Sequence, residues 1–107
     1  EQQKNHYPLI LTVGGTGLGP KDLTVETIQP LLKREIPGLM EASRSFGQKR
    51  TPYAALSRGV AGYIENSLVI TLPGSRQGAK ESLTAILPAL VHLFDVQKNI
   101  PHAGGYQ

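Results

Sequence analysis

The chain contains no cysteine, only four tyrosines and two phenylalanines as aromatics, and no long hydrophobic run. Each absence closes a class of function. Without cysteine there is no disulfide, no thiolate nucleophile and no cysteine-ligated zinc, so catalysis rests on oxygen, nitrogen or a metal held by them. No stretch approaches the ~18 to 20 consecutive apolar residues of a membrane span. The opening residues Glu1 to His6 do not form a charged-then-apolar signal peptide. The expectation is a cytoplasmic protein with no membrane partner. The charge excess is mild, 11 basic against 8 acidic residues for a net +3. It is concentrated at Lys33-Arg34, Arg44 to Arg50 and Arg58. Nucleic-acid binders interleave such charge with stacking aromatics, which are sparse and dispersed here, so no nucleic-acid partner is expected. His6, His92 and His102 are too scattered to show a metal-ligand spacing.

What is present fits one small domain, 107 residues of which 39% are hydrophobic. Its most informative segment runs from Leu9 to Asp22. Leu9, Ile10, Leu11 and Val13 read as a buried-type strand, and Gly14, Gly15, Gly17 and Gly19 form a turn that tolerates positive φ and close approach of a ligand. Backbone N–H groups of such a turn can face anionic oxygens. Asp22 follows where a carboxylate suits Mg²⁺, which takes one or two carboxylates together with substrate phosphate oxygens. The turn matches neither the G-x-G-x-x-G fingerprint nor the G-K-[ST] ending of a P-loop. Read alone, it equally suits a tight strand-to-helix connection.

Val25, Ile28, Leu31, Leu32 and Ile36 recur at helical spacing, with Thr24 as N-cap, Pro30 kinking the helix or starting a fresh turn, and Ile36-Pro37-Gly38 ending it. A further helix covers Leu39 to Phe46 and leads into the basic stretch at Gln48-Lys49-Arg50, read as solvated. Thr51-Pro52 suits a helix cap, yet the two glycines in Ala55 to Ile64 favour a strand returning antiparallel to Leu68-Val69-Ile70 across Glu65-Asn66. Ser67 to Leu72 is the second strong strand. Pro73-Gly74-Ser75 then turns the chain, which runs polar to Ala79 before a helix marked by Leu83, Ile86, Leu87, Leu90, Leu93 and Phe94, kinked at Pro88. A glycine turn follows one strand and Pro73-Gly74-Ser75 the other. In open α/β folds ligands sit beyond the carboxyl ends of parallel strands, so both turns belong to one pocket. Residues 99–107 lack periodicity and read as a flexible tail.

Three blocks in order, Gly14 to Thr24, Thr51-Pro-Tyr-Ala-Ala-Leu-Ser-Arg58, and Leu72-Pro-Gly-Ser75 followed by Ile86-Leu-Pro-Ala-Leu90, resemble the MoaB/Mog family of molybdenum-cofactor biosynthesis, whose domain also occurs in plant Cnx and animal gephyrin proteins. The resemblance implies a three-layer αβα domain with a mostly parallel sheet, usually a homotrimer. It also implies binding of molybdopterin and, in active members, transfer of AMP from ATP to the molybdopterin phosphate with Mg²⁺. By position, Gly14, Gly15, Thr16 and Gly17 match the family's binding loop and Asp22 its catalytic aspartate. Ser57 and Arg58 match the Leu-Ser-Arg block, and Pro73, Gly74 and Ser75 the second pocket turn. Lys21, Val25 and Pro30 depart from the family pattern. Family domains carry roughly a further half-domain ahead of the first strand here, with a second acidic site residue. Residues 1–98 are therefore expected to be the carboxyl-terminal portion of the domain.

Simpler roles exist for these residues. Asp22 suits a carboxylate at a helix N-terminus, worth ~0.3 to 1 kcal/mol. Arg58 suits a surface or interface ion pair, Ser57 a turn bond, Ser75 a helix cap and Glu81 a solvated helix face. Beside the transferase stand two further readings, a molybdopterin-binding module without AMP transfer and an oligomeric scaffold.

Overall fold

The computed structural model describes residues 8–98. His6, His102 and the expected tail at 99–107 lie outside the described residues. Four strands, β1 (Leu9–Val13), β2 (Arg34–Glu35), β3 (Ala61–Ile64) and β4 (Ser67–Leu72), form one sheet in the order β1-β4-β3-β2. β1 runs parallel to β4, with Leu9 opposite Leu68 and Val13 opposite Leu72. β3 and β2 pair antiparallel. Over the described strands the expected mostly parallel sheet is therefore mixed, because β3 and β4 form the hairpin read at Glu65-Asn66. The left-handed residue of that hairpin is Glu65, at φ 56°.

All six residues of β4 are buried, so both faces of the sheet are covered at that strand. Leu68, Ile70 and Leu72 share one face, where they join Leu39 and Met40 of α2 (Pro37–Gln48) and Ile86 and Leu90 of α3 (Arg76–Lys98) in the core. Val69 and Thr71, on the other face, are equally inaccessible. β1 differs from the buried strand expected of it. Among the described residues it has a single strand neighbour, and Leu11 and Val13 are 40% and 67% exposed.

The long amphipathic helix expected from Thr24 to Ile36 is cut short. α1 (Thr24–Ile28) gives way to a 3₁₀ turn at Gln29–Leu31, then to extended chain. Pro30 sits in the first positions of the turn, where its missing N–H costs nothing, and starts the fresh turn that was one of its expected outcomes. Lys33 N–H then donates to Tyr63 O at 2.7 Å and Ile36 N–H to Ala61 O at 2.8 Å, which brings β2 to the sheet edge. Backbone pairing thus overrides the helical spacing of Leu31, Leu32 and Ile36. Pro37 opens α2 rather than closing the helix before it, again at the first helical position. The antiparallel strand covers only Ala61–Ile64. Ahead of it Pro52–Leu56 is a 3₁₀ turn capped as expected by Thr51, whose Oγ1 accepts from Tyr53 N–H at 3.2 Å. α3 begins at Arg76, earlier than its apolar pattern, and the helix continues through Pro88.

Candidate functional site

The pairing of β1 with β4 brings the two turns together at the carboxyl ends of both strands. Gly14 N–H donates to Leu72 O at 2.8 Å, and a Cβ on Gly74 would lie 3.3 Å from Gly14 Cα. Gly14 and Gly15 have φ of 95° and 75°. A Cβ on Gly15 would fall 2.0 Å from Thr24 Oγ1, so side-chain-free backbone is required there. Thr24, expected to cap α1 with its side chain, is the first helical residue instead. Its hydroxyl donates to Gly14 O at 2.8 Å and its N–H to Gly15 O at 3.1 Å, which fastens the helix to the loop. The N–H groups of Gly15, Thr16 and Gly17 donate to no acceptor among the described residues, leaving a row of free amide donors.

These turns border a cleft of about 420 Å³. Gly15, Thr16, Gly17 and Asp22 line one side, Ser57 another, and Pro73, Gly74 and Ser75 a third. The two sequence turns therefore do share one cleft. Asp22 Oδ2 accepts from Gly19 N–H at 2.8 Å and closes the end of the glycine loop. The carboxylate takes no other hydrogen bond among the described residues, so Oδ1 remains available. Ser75 both lines the cleft and caps α3: its Oγ accepts from Gly78 N–H at 3.0 Å and its carbonyl from Ala79 N–H at 2.9 Å.

Two expected residues are not on the cleft wall. Gly14 lies behind it, bonded to Leu72 and Thr24. Arg58 lies beneath the glycine loop: its N–H donates to Thr16 O at 2.9 Å, Nε to Gly17 O at 2.8 Å and Nη2 to Asp22 O at 2.9 Å, while the guanidinium pairs with the Glu26 carboxylate. This clamp joins both ends of the loop. The hydrogen bond from Arg58 holds the Glu26 carboxyl below the ordinary carboxylate range, and Glu26 raises Arg58 in turn.

The cleft also recruits residues that sequence reasoning set aside. Arg44, within the helix expected over Leu39 to Phe46, and Arg50, in the stretch read as solvated, both line it. Arg44 Nη1 donates to Ser57 O at 3.2 Å and Gly59 O at 3.4 Å, tying α2 to the 57–59 strap. Glu81, read as solvated, is 13% exposed and pairs with Arg50. Its carboxyl is held below the ordinary range, first by the hydrogen bond from Gln77 Nε2 and then by Arg50. Ser43, Ser82, Thr51 and Tyr53 complete the polar and aromatic lining. The Thr51-Pro-Tyr block was a signal for Thr51 and Tyr53; nothing local marks Glu81, which reaches the cleft only because α3 packs on α2.

The site fits a magnesium ion in one respect, since Asp22 supplies the single carboxylate that Mg²⁺ can use beside substrate phosphates. Among the described residues no cluster of three acidic or histidine groups forms a dedicated metal cage. No described helix is long and apolar enough to cross a membrane.

Fold and cleft define an α/β domain with a cleft at the carboxyl ends of the parallel strands β1 and β4. Residues 1–92 match the model of the probable molybdopterin binding domain. Over 94 residues the chain is 45% identical to the molybdenum cofactor biosynthesis bifunctional protein of Chlorobaculum tepidum, covering 88% of this chain and 30% of that protein. It is 41% identical over 88 residues to molybdenum cofactor biosynthesis protein B of Staphylococcus aureus, covering 79% and 52%. Among solved structures, the molybdopterin biosynthesis enzyme MoaB from Thermus thermophilus superposes with a TM-score of 0.78 at 54% identity, over 85% of this chain and 57% of that one. The chain belongs to the molybdopterin-binding domain family of MoaB and Mog proteins. It spans 30% of the length of the first of these relatives and 52% of the second.

Proposed function

We propose that this cleft binds molybdopterin together with ATP and serves transfer of AMP to the terminal phosphate of the pterin. The observation that carries the reading is the meeting of three anion-handling features in one cleft: the free amides of Gly15, Thr16 and Gly17, the Asp22 carboxylate, and the Ser75-capped start of α3. In the reaction an oxygen of the molybdopterin phosphate attacks the α-phosphorus of ATP, a new P–O bond forms, and the bond from that phosphorus to the bridging oxygen of the leaving pyrophosphate breaks. Asp22 would hold Mg²⁺, which when bound neutralises charge on the phosphate oxygens. The glycine loop orients one phosphate through its amides, and the Arg58 clamp keeps that loop in shape before the ligand arrives. Ser57 and Ser75 offer hydroxyls to the same ligands.

The test is AMP transfer to molybdopterin by the purified protein with ATP and Mg²⁺, compared with Asp22→Asn. The expected outcome is a loss of turnover by about a hundredfold with pterin binding retained, the scale of removing one transition-state charge contact. Wild-type turnover in that variant removes the metal role from Asp22. A second reading, a pterin-binding module without transfer, is favoured by one feature: of the two carboxylates on the cleft wall, Glu81 is committed to Arg50, leaving Asp22 alone. Pterin binding without AMP transfer would select it. A homotrimer is part of the proposal, checked by light scattering on the purified protein; a trimer that binds neither pterin nor ATP would make it a scaffold.

A further inference from the structure

Three arginines surround the cleft and its glycine loop, and they are unequally committed. Arg58 spends Nε and Nη2 on the carbonyls of Gly17 and Asp22 and pairs with Glu26. Arg44 spends Nη1 on two carbonyls of the 57–59 strap. Arg50 alone has its whole terminal fork free: Nε donates to Glu81 Oε2, while Nη1 and Nη2 donate to no acceptor among the described residues. Its side chain is 47% exposed on the cleft wall, and no lysine lines that wall.

Glu81 is, beside Asp22, the second carboxylate on the wall of the cleft. A carboxylate there repels a phosphate unless it is neutralised, and Arg50 neutralises it. Gln77 Nε2 donates to the same Oε2 at 3.2 Å and fixes the carboxylate from its own helix. A guanidinium has five donors in a rigid plane, so holding Nε leaves an edge of two Nη groups able to take two phosphate oxygens at once. From this geometry we infer that Arg50 is the phosphate-contacting cation of the cleft, and that Glu81 is a positioning residue holding it by Nε. The inference rests on the proposed binding of phosphate-bearing ligands and names the residue that meets their charge.

The experiment is calorimetric titration with inorganic pyrophosphate, at fixed ionic strength, of wild type, Arg50→Gln, Arg50→Lys, Glu81→Gln and Lys49→Gln, each checked by thermal unfolding. Arg50→Gln should weaken binding about tenfold or more, the scale of one charge-assisted hydrogen-bonded contact. Arg50→Lys should recover part of it, keeping the charge without the fork. Glu81→Gln should stay within about threefold of wild type, because an amide oxygen still accepts from Nε. Lys49→Gln removes the same charge one residue away and should stay within about twofold, excluding a general field effect. Wild-type affinity in Arg50→Gln overturns the inference, as does an equal loss in Arg50→Gln and Glu81→Gln, which marks a purely structural pair. If the wild type binds molybdopterin but pyrophosphate affinity ignores Arg50, the inference fails and the proposed function stands. If the wild type binds neither pterin nor pyrophosphate, both fail.

Discussion

Gly15→Ala is the sharpest test of how the glycine loop is built. The residue holds φ at 75°, a left-handed value that costs an L-residue with a Cβ about 1 to 2 kcal/mol. The added methyl would also stand 2.0 Å from Thr24 Oγ1 and 3.0 Å from Thr24 Cβ. Thr24 must therefore rotate away and surrender its 2.8 Å bond to Gly14 O, a further ~0.5 to 1.5 kcal/mol. The two contributions together predict a loss of about 1.5 to 3.5 kcal/mol in urea unfolding at unchanged m. Gly38→Ala is the control. Gly38 lies in the first turn of α2 with nothing within 4 Å of its Cβ position, so alanine there should stabilise by up to about 1 kcal/mol. The contact with Thr24 also predicts non-additivity: Gly15→Ala in a Thr24→Ala background should cost measurably less than in the wild type, because Oγ1 is already gone. A Gly15→Ala cost below about 0.5 kcal/mol, or strict additivity with Thr24→Ala, would refute the steric reasoning.

Two other outcomes follow from the contacts around the cleft. Ser43 Oγ and Ser82 Oγ are 2.7 Å apart between α2 and α3, and Ser82 is buried; Ser43→Ala should cost about 1 to 3 kcal/mol by orphaning that hydroxyl, and adding Ser82→Ala should restore part of the loss in chemical denaturation. The carboxyls of Glu26 and Glu81 are both held below the ordinary 4.5, so the folded state binds their protons less readily than the unfolded chain. Their contribution is complete above 4.5 and is lost as pH falls through the lowered folded values, so an unfolding series from pH 7 to 3 should show a shallower acid loss in the Glu26→Gln/Glu81→Gln variant than in the wild type.

The parts of the fold legible in sequence were those where local pattern and tertiary context agree. β4 is buried on both faces, Leu68, Ile70 and Leu72 on one and Ser67, Val69 and Thr71 on the other, and the two turns after β1 and β4 converge because parallel pairing places like ends together. The misread segment, residues 29–36, has helical apolar spacing, yet Pro30 and the free edge of β3 decide its conformation. Spacing records which side chains are buried, not which backbone partner is available. β1 reads as a buried strand from its composition, but it lies at the edge of the described sheet, where Leu9 still packs on the core and Leu11 and Val13 are exposed. At the site, the glycine loop, Asp22 and Ser75 were visible because each is carried by a local motif. Glu81 was not, since its role depends on the packing of α3 against α2, which no local pattern encodes.

The arginines show the same distinction in one residue type. Arg58 stands beside Ser57 in the Leu-Ser-Arg block, for which the family resemblance implies ligand contact and the residues alone equally suit an ion pair and a turn bond, while Arg50 sits in a basic stretch that reads as solvent-facing. In the structure Arg58 holds the glycine loop and Glu26, and Arg50 lines the cleft. A guanidinium that donates to carbonyls from both ends of a loop has spent those donors on the loop. One that meets a single carboxylate through Nε keeps its remaining donors wet and available. The number of donors already committed therefore separates a cation that builds the site from one that serves its ligand. By that count Arg58 builds the loop, Arg44 the strap, and Arg50 is left facing the cleft.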